Sequence, residues 1–112
     1  MRLNGEWESA GPGVERRLVA LGQNMMAVRV RFVEGAVGDL HSHPHEQLTQ
    51  VLSGRFRFQL GGRFVEVAQG DTLCIHTGLE HGTVALEAGE LLDIFSPLRE
   101  DLLQPGTDLL GG

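Results

Sequence analysis

His41, His43 and His45 alternate with Ser42 and Pro44, Gln47 follows two residues later, and His81 lies well downstream. Side chains along an extended strand point to opposite faces with a period of two. Positions 41, 43, 45 and 47 therefore share one face, as far as Pro44 lets the extended geometry persist. Imidazole nitrogens that converge on one point are costly unless something satisfies them, and a divalent transition ion does so. A lone histidine on a strand is usually a hydrogen-bonded core or surface residue. Here, however, His76, the remaining histidine, falls in the same later segment as His81, so none lies outside these two stretches. The tract is also internal and flanked by strand-like sequence, unlike an affinity tag. The pattern predicts a metal site.

Short strands must position these residues. Val28, Val30 and Phe32 alternate with Arg29, Arg31 and Val33, and Phe56, Phe58 and Leu60 alternate with Arg55, Arg57 and Gln59. Both read as half-buried strands. Gly61-Gly62 predicts a tight turn, with Arg63 to Val67 returning as the hairpin partner. Gly70-Asp71 opens another turn before Thr72 to His76, and Val84 to Leu86 and Leu91 to Phe95 flank a Glu-Ala-Gly-Glu turn. Many short strands with few helix-length apolar patterns predict an all-β sandwich or barrel. Residues 1–13 read as an irregular N-terminal arm anchored by Trp7, Arg99 to Leu103 as one helical turn, and 104–112 as a flexible tail.

With 112 residues the chain is expected to form a single domain spanning 1–112. A net charge of −6 argues against a nucleic-acid backbone as partner. All nine basic residues are arginine, so Schiff-base chemistry on a lysine is excluded, and tyrosine is absent too. Acid–base work must fall to His, Asp, Glu, Cys or metal-bound water. The single cysteine, Cys74, cannot close an intrachain disulfide and is expected to pack as a small hydrophobe. Met1 to Gly13 holds no apolar run of a signal peptide, and no stretch approaches the roughly 20 apolar residues of a membrane helix. The expectation is a soluble, cytoplasmic protein with no membrane partner.

Gly35, His41, His43, Gln47 and Gly54, at their spacing, resemble the first signature motif of the cupin superfamily, where the position of Gln47 is commonly Glu. Gly70-Asp71, His76, Gly78 and His81 are similar to the second, with His76 in place of a frequent Pro and Ala85 in place of the usual Asn. The resemblance covers residues 35–85 and, through the strand pattern, most of the chain. It implies a double-stranded β-helix, the jelly-roll barrel of cupins, and a homodimer, to which an exposed edge strand also points. It further implies that His41, His43, Gln47 and His81 hold one divalent transition metal. Three imidazoles and an amide oxygen suit Zn, Ni, Mn, Fe or Co without choosing among them. Glutamine leaves the ion its full charge, which makes a stronger Lewis acid and a better host for an anionic ligand.

The neighbours carry two readings each. His45 shares the ligand parity but follows Pro44, and is read either as a substrate-pocket residue or as a surface histidine at the barrel mouth. Glu46 points to the opposite face, His76 is expected in structural hydrogen bonding, and Asp93 shares a face with Leu91 and Phe95 in an otherwise apolar strand. A carboxylate there requires a partner or a raised pKa. It is either half of a buried ion pair or a general acid/base beside the metal. The run His-Ser-His-Pro-His-Glu-Gln and the closing Asp93-x-Phe95-Ser-Pro-x-Arg99-Glu-Asp are similar to cupins of pectin and alginate degradation, which convert 4,5-unsaturated monouronates to the linear keto form. That likeness implies a small anionic sugar acid as substrate, with Asp93 moving protons, Arg99 meeting the carboxylate and Phe95 shaping the pocket. Two other classes stay open: an Fe or Mn dioxygenase, and a binding module in which the metal only holds a small anion.

Overall fold

The computed structural model describes residues 1–104 of the chain. Ten strands form β1 (Glu8–Gly11), β2 (Val14–Leu21), β3 (Met26–Phe32), β4 (Val37–His41), β5 (Glu46–Ser53), β6 (Arg55–Leu60), β7 (Arg63–Ala68), β8 (Thr72–Ile75), β9 (His81–Ala85) and β10 (Gly89–Ser96). One 3₁₀ turn, Glu100–Leu102, follows. They build two antiparallel sheets, ordered β1-β2-β3-β10-β5-β8 and β4-β9-β6-β7. From β3 to β6, and again from β7 to β10, each strand lies in the other sheet from the one before it. This crossing back and forth is the jelly-roll arrangement that the cupin resemblance implies, and it meets the all-β sandwich or barrel expected from the strand pattern.

Alternation places the core. Interior-facing residues line up in rows across the larger sheet, because residues opposite one another in register share a face. One row runs Leu18, Val28, Asp93, Thr49, a second Met26, Phe95, Gln47, Ile75, and a third Arg16, Val30, Leu91, Val51. Val51, Phe56, Phe58 and Leu91 pack with Phe32 in one apolar cluster, where the Phe32 and Phe56 rings meet edge to face at 5.2 Å. Leu18, Met26, Val28 and Phe95 form a second cluster with Met1. The turn at Gly61-Gly62 joins β6 to β7 as expected, with Gly61 at φ +59°. Gly54 has a different need: a Cβ there would lie 2.5 Å from the Ala88 carbonyl, where the β5–β6 corner crosses the start of β10.

Several expectations change. The N-terminal arm is only partly irregular, since Glu8–Gly11 pairs with β2. Trp7 is half-buried beneath the Arg31 guanidinium, 4.0 Å from its ring. The arm is also tied down by Met1, whose amino group donates to the Leu102 carbonyl at 2.7 Å. Cys74 does not pack inside. Leu73 and Ile75 take the inward positions of β8, and the period of two turns Cys74 outward, where it is exposed. Val33 lies beyond β3 and is 60% exposed. The tail expected at 104–112 falls, apart from Gln104, outside the described residues. Among the described residues no helix is long and apolar enough to cross a membrane.

Candidate metal centre and active site

His41 ends β4 and His81 begins β9, and the two are paired directly across the smaller sheet. Gln47 comes from β5 in the larger sheet, and His43 from the connection between β4 and β5. The shared-face argument for positions 41 to 47 therefore fails in its geometry. Residues 42–45 leave the extended conformation around Pro44, and the ligands converge because two sheets close on one another. His81 is the in-sheet neighbour of His41.

Convergence is nonetheless tight. One ring nitrogen from each of His41, His43 and His81 lies within 4.8 Å of the others. His43, Gln47 and His81 are 8%, 5% and 3% exposed. The backbone fixes the tautomers. Nδ1–H of His41 donates to the Asp39 carbonyl at 2.8 Å, that of His43 to His45 at 3.1 Å, and that of His81 to Leu79 at 2.8 Å. Each Nε2 is left as a bare lone pair turned inward. Nε2 of His81 is buried with no hydrogen-bond partner, and Nε2 of His43 faces the Gln47 Oε1 oxygen at 3.0 Å. Two acceptors at that separation, beside an orphaned third, repel unless a cation lies between them. The residues fit a metal. Burial pushes the pKa of His43 and His81 down, with Arg99 adding to the effect at His43, so both hold the neutral form that ligates.

Gln47 is oriented from behind. Its Nε2 donates to Thr49 Oγ1 at 2.9 Å, and that hydroxyl donates to Asp93 Oδ1 at 2.7 Å. Because Thr49 has one proton and gives it to the carboxylate, it must accept from the amide nitrogen, which leaves the Gln47 carbonyl facing the histidines. Thr49 is fully buried and was not singled out from sequence. The signal existed: it lies two residues past Gln47, on the same strand face.

Asp93 is half-buried, and burial raises its carboxyl from 3.8 to about 6, against the hydrogen bonds from Thr49 and Gln47 that favour the charged form. No arginine pairs with it. Arg99 instead forks onto Asp101 with bonds of 3.1 and 2.8 Å and lies 5.1 Å from the centre of the Phe95 ring. The Arg99 hydrogen bonds hold Asp101 below its ordinary value. His41, Gln47, His81, Asp93, Phe95 and Arg99 all line one cavity of about 320 Å³.

A cupin-domain family model matches residues 28–95, which take in His41, His43, Gln47, His81, Asp93 and Phe95. The chain belongs to the cupin family. Among relatives, this cupin is 36% identical over 99 residues to the pectin degradation protein KdgF of Dickeya dadantii, a match covering 87% of this chain and 90% of that one. Among solved structures, KdgF from Halomonas sp. superposes with a TM-score of 0.84 at 39% identity, over 88% of this chain and 94% of that one. An RmlC-like cupin from Shewanella frigidimarina gives a TM-score of 0.84 at 34% identity, over 89% and 90% of the two chains.

Of the remaining candidates, His45 is set beside His43, with ring centres 5.4 Å apart, but it does not line the cupin cavity. It faces a separate groove with Gln23, Pro97, Leu98, Glu100 and Asp101, and its backbone carbonyl receives the His43 proton. Glu46 is exposed, as parity predicts. His76 is also exposed, and its backbone carbonyl accepts the amide of Leu79.

Proposed function

We propose that this cupin converts 4,5-unsaturated monouronates to the linear keto form, with His41, His43, Gln47 and His81 holding one divalent transition ion. The observation that carries the reading is a carboxyl raised to about 6, set in one cavity with the ligand cluster and an arginine. The relationship to proteins named for pectin degradation supports it. A bound ion supplies Lewis acidity, which favours an oxyanion developing on the substrate.

The chain's own residues do the rest. Arg99 takes the substrate carboxylate on the guanidinium edge that Asp101 leaves free, and Phe95 beneath it holds that end of the ring. Asp93 accepts the hemiacetal proton as the bond from C1 to the ring oxygen breaks, which yields an aldehyde at C1 and an enolate at C5. Return of the proton to C4 turns the enolate into the ketone. Atoms balance, since the product is an isomer of the substrate. Burial raises this carboxyl in the metal-free chain, and a carboxyl can accept the proton as a base and return it as an acid within one turnover. A homodimer through a free sheet edge belongs to the same proposal, and light scattering would give twice the 12.2 kDa chain mass.

The test is the loss of the enol-ether absorbance of 4,5-unsaturated galacturonate or glucuronate with metal-loaded protein, beside a chelated sample and Asp93→Asn. Loss that needs the metal and disappears in Asp93→Asn supports the reading. A rate no faster than the spontaneous one with Ni, Zn, Mn or Fe bound removes it.

A further inference from the structure

Arg16 takes no part in that chemistry, yet strand parity puts it inside the barrel. Val14, Arg16 and Leu18 share one face of β2, and the two flanking residues are 4% and 0% exposed. The register says the same, because Arg16 opposes Val30, which opposes Leu91, which opposes Val51. Both Leu91 and Val51 are core residues. On the other face, Glu15 pairs with Arg31, and Arg17 donates to the Gly5 and Asn4 carbonyls. Arginine in an interior row is costly unless its charge meets a partner or water.

Glu8 stands opposite Arg16 in β1, but that carboxylate pairs with the Met1 amino group at 3.6 Å. Nε of Arg16 is buried without a hydrogen bond, and the side chain lines the same cavity as His41, Gln47, His81 and Asp93. By strand order, β2 lies two places from β10, about 10 Å between strand axes. Arg16 stands in the Leu91 row, whereas Arg99 follows the Phe95 row, so their backbone positions bracket Asp93. Their electrostatics differ as well. Asp101 already engages the Arg99 fork, while the buried Nε of Arg16 has no hydrogen bond. Asp39 and Asp93 are the acids of the lining and offset its two arginines. An ion seated at the ligand cluster would add charge beyond what these two acids offset.

We propose that Arg16 is a second anion-binding pole of the cavity, so that it accepts acyclic sugar dicarboxylates, with one acid group at the metal-side cluster and Arg99 and the other at Arg16. This inference rests on the uronate reading for the metal-side cluster and Arg99 as one carboxylate site, and not for any turnover. It adds a ligand class with charge at both ends.

Glucarate and gluconate make the test, because they share an acyclic six-carbon chain and differ only in whether the far end is a carboxylate or an alcohol. Zinc-loaded protein is titrated with each by calorimetry, and zinc content is measured afterwards to show that neither acid has stripped the ion. A bidentate charge-assisted contact predicts glucarate binding about tenfold tighter than gluconate. Arg16→Met removes that preference while leaving gluconate affinity within about twofold. Arg16→Gln, which keeps the polar reach, serves if the Met variant fails to fold by circular dichroism, and it predicts the same loss. Equal affinities in the parent protein, no saturable glucarate binding, or a preference that survives removal of the guanidinium overturns the inference. Unsaturated uronate left unconsumed, with the glucarate preference intact and Arg16-dependent, would sink the uronate reading alone.

Discussion

Val51 and Leu91 face each other in the apolar half of the barrel, while Thr49 and Asp93, two residues along the same two strands, face each other beside the histidines. Both pairs lie on the same two strands, with a register shift between Glu90 and Leu91 at the apolar end. What changes is the side chain that each inward position carries. In the apolar half the sheets close on Phe32, Phe56 and Phe58, and burial stabilises the fold. In the polar half the same inward positions carry acceptors with no mutual donors and a carboxyl raised by burial. Such groups destabilise a fold unless a ligand satisfies them, so the apolar half must supply the stability that the other gives up.

Breaking the apolar half should have the largest effect. Phe56→Ala, at a position with no exposure, is expected to cost about 3–5 kcal/mol in urea denaturation of metal-free protein. That would bring a domain of this size near the edge of folding. A loss under about 1 kcal/mol would mean that stability is not concentrated there.

The polar half should respond in the opposite sense. Asp93 titrates higher in the folded chain, about 6 against 3.8, so its favourable contribution is complete at low pH and is lost as pH rises through about 6. Asp93→Asn removes the ionised form. Its advantage over the parent in chelated protein should grow from pH 4 and level off above pH 6, reaching up to about 3 kcal/mol. Thermal melts across that range read the difference, and an advantage that is constant with pH would contradict it.

Thr49→Val tests the join between structure and chemistry. It leaves the Gln47 amide free to turn and Asp93 without its donor, so metal affinity by chelator competition should fall about 10- to 100-fold. Thr49→Ser should restore most of it. A Ser variant as weak as Val would assign the methyl group, not the hydroxyl, the main part. The smallest effect belongs to the surface. Arg55→Ala breaks a pair with Glu66 whose side chains are 49% and 51% exposed, and should cost less than about 1 kcal/mol, with metal affinity unchanged.

How far these halves could be read in advance depended on sequence distance. Phe56-x-Phe58 and Leu91-x-Asp93-x-Phe95 declare their inward faces locally, so the strands, the core and the odd acid were legible from alternation. The grouping of His41, His43 and His81 was legible through spacing, although the reason for their convergence was not. The strand-face argument depended on backbone that Pro44 diverts, and it overreached at His45 for the same cause. Cys74 was readable and misjudged, since Leu73 and Ile75 on either side already claimed the interior. Thr49 as the partner of Asp93 depends on the register of β5 against β10, more than forty residues apart in the chain, which no local pattern encodes. Arg16 lay in plain view between Val14 and Leu18, but parity alone does not say whether an inward arginine meets a counterion.

Everything in the polar half depends on an ion joining His41, His43, Gln47 and His81. The most direct test is elemental analysis of chelator-stripped and reloaded protein, followed by diffraction from loaded crystals at the metal's absorption edge. One ion per chain, bound by three imidazole nitrogens and the Gln47 oxygen and lost in His81→Ala, is the predicted result. A chain that takes up no ion at micromolar concentration, or holds it on other residues, would contradict the account at its centre.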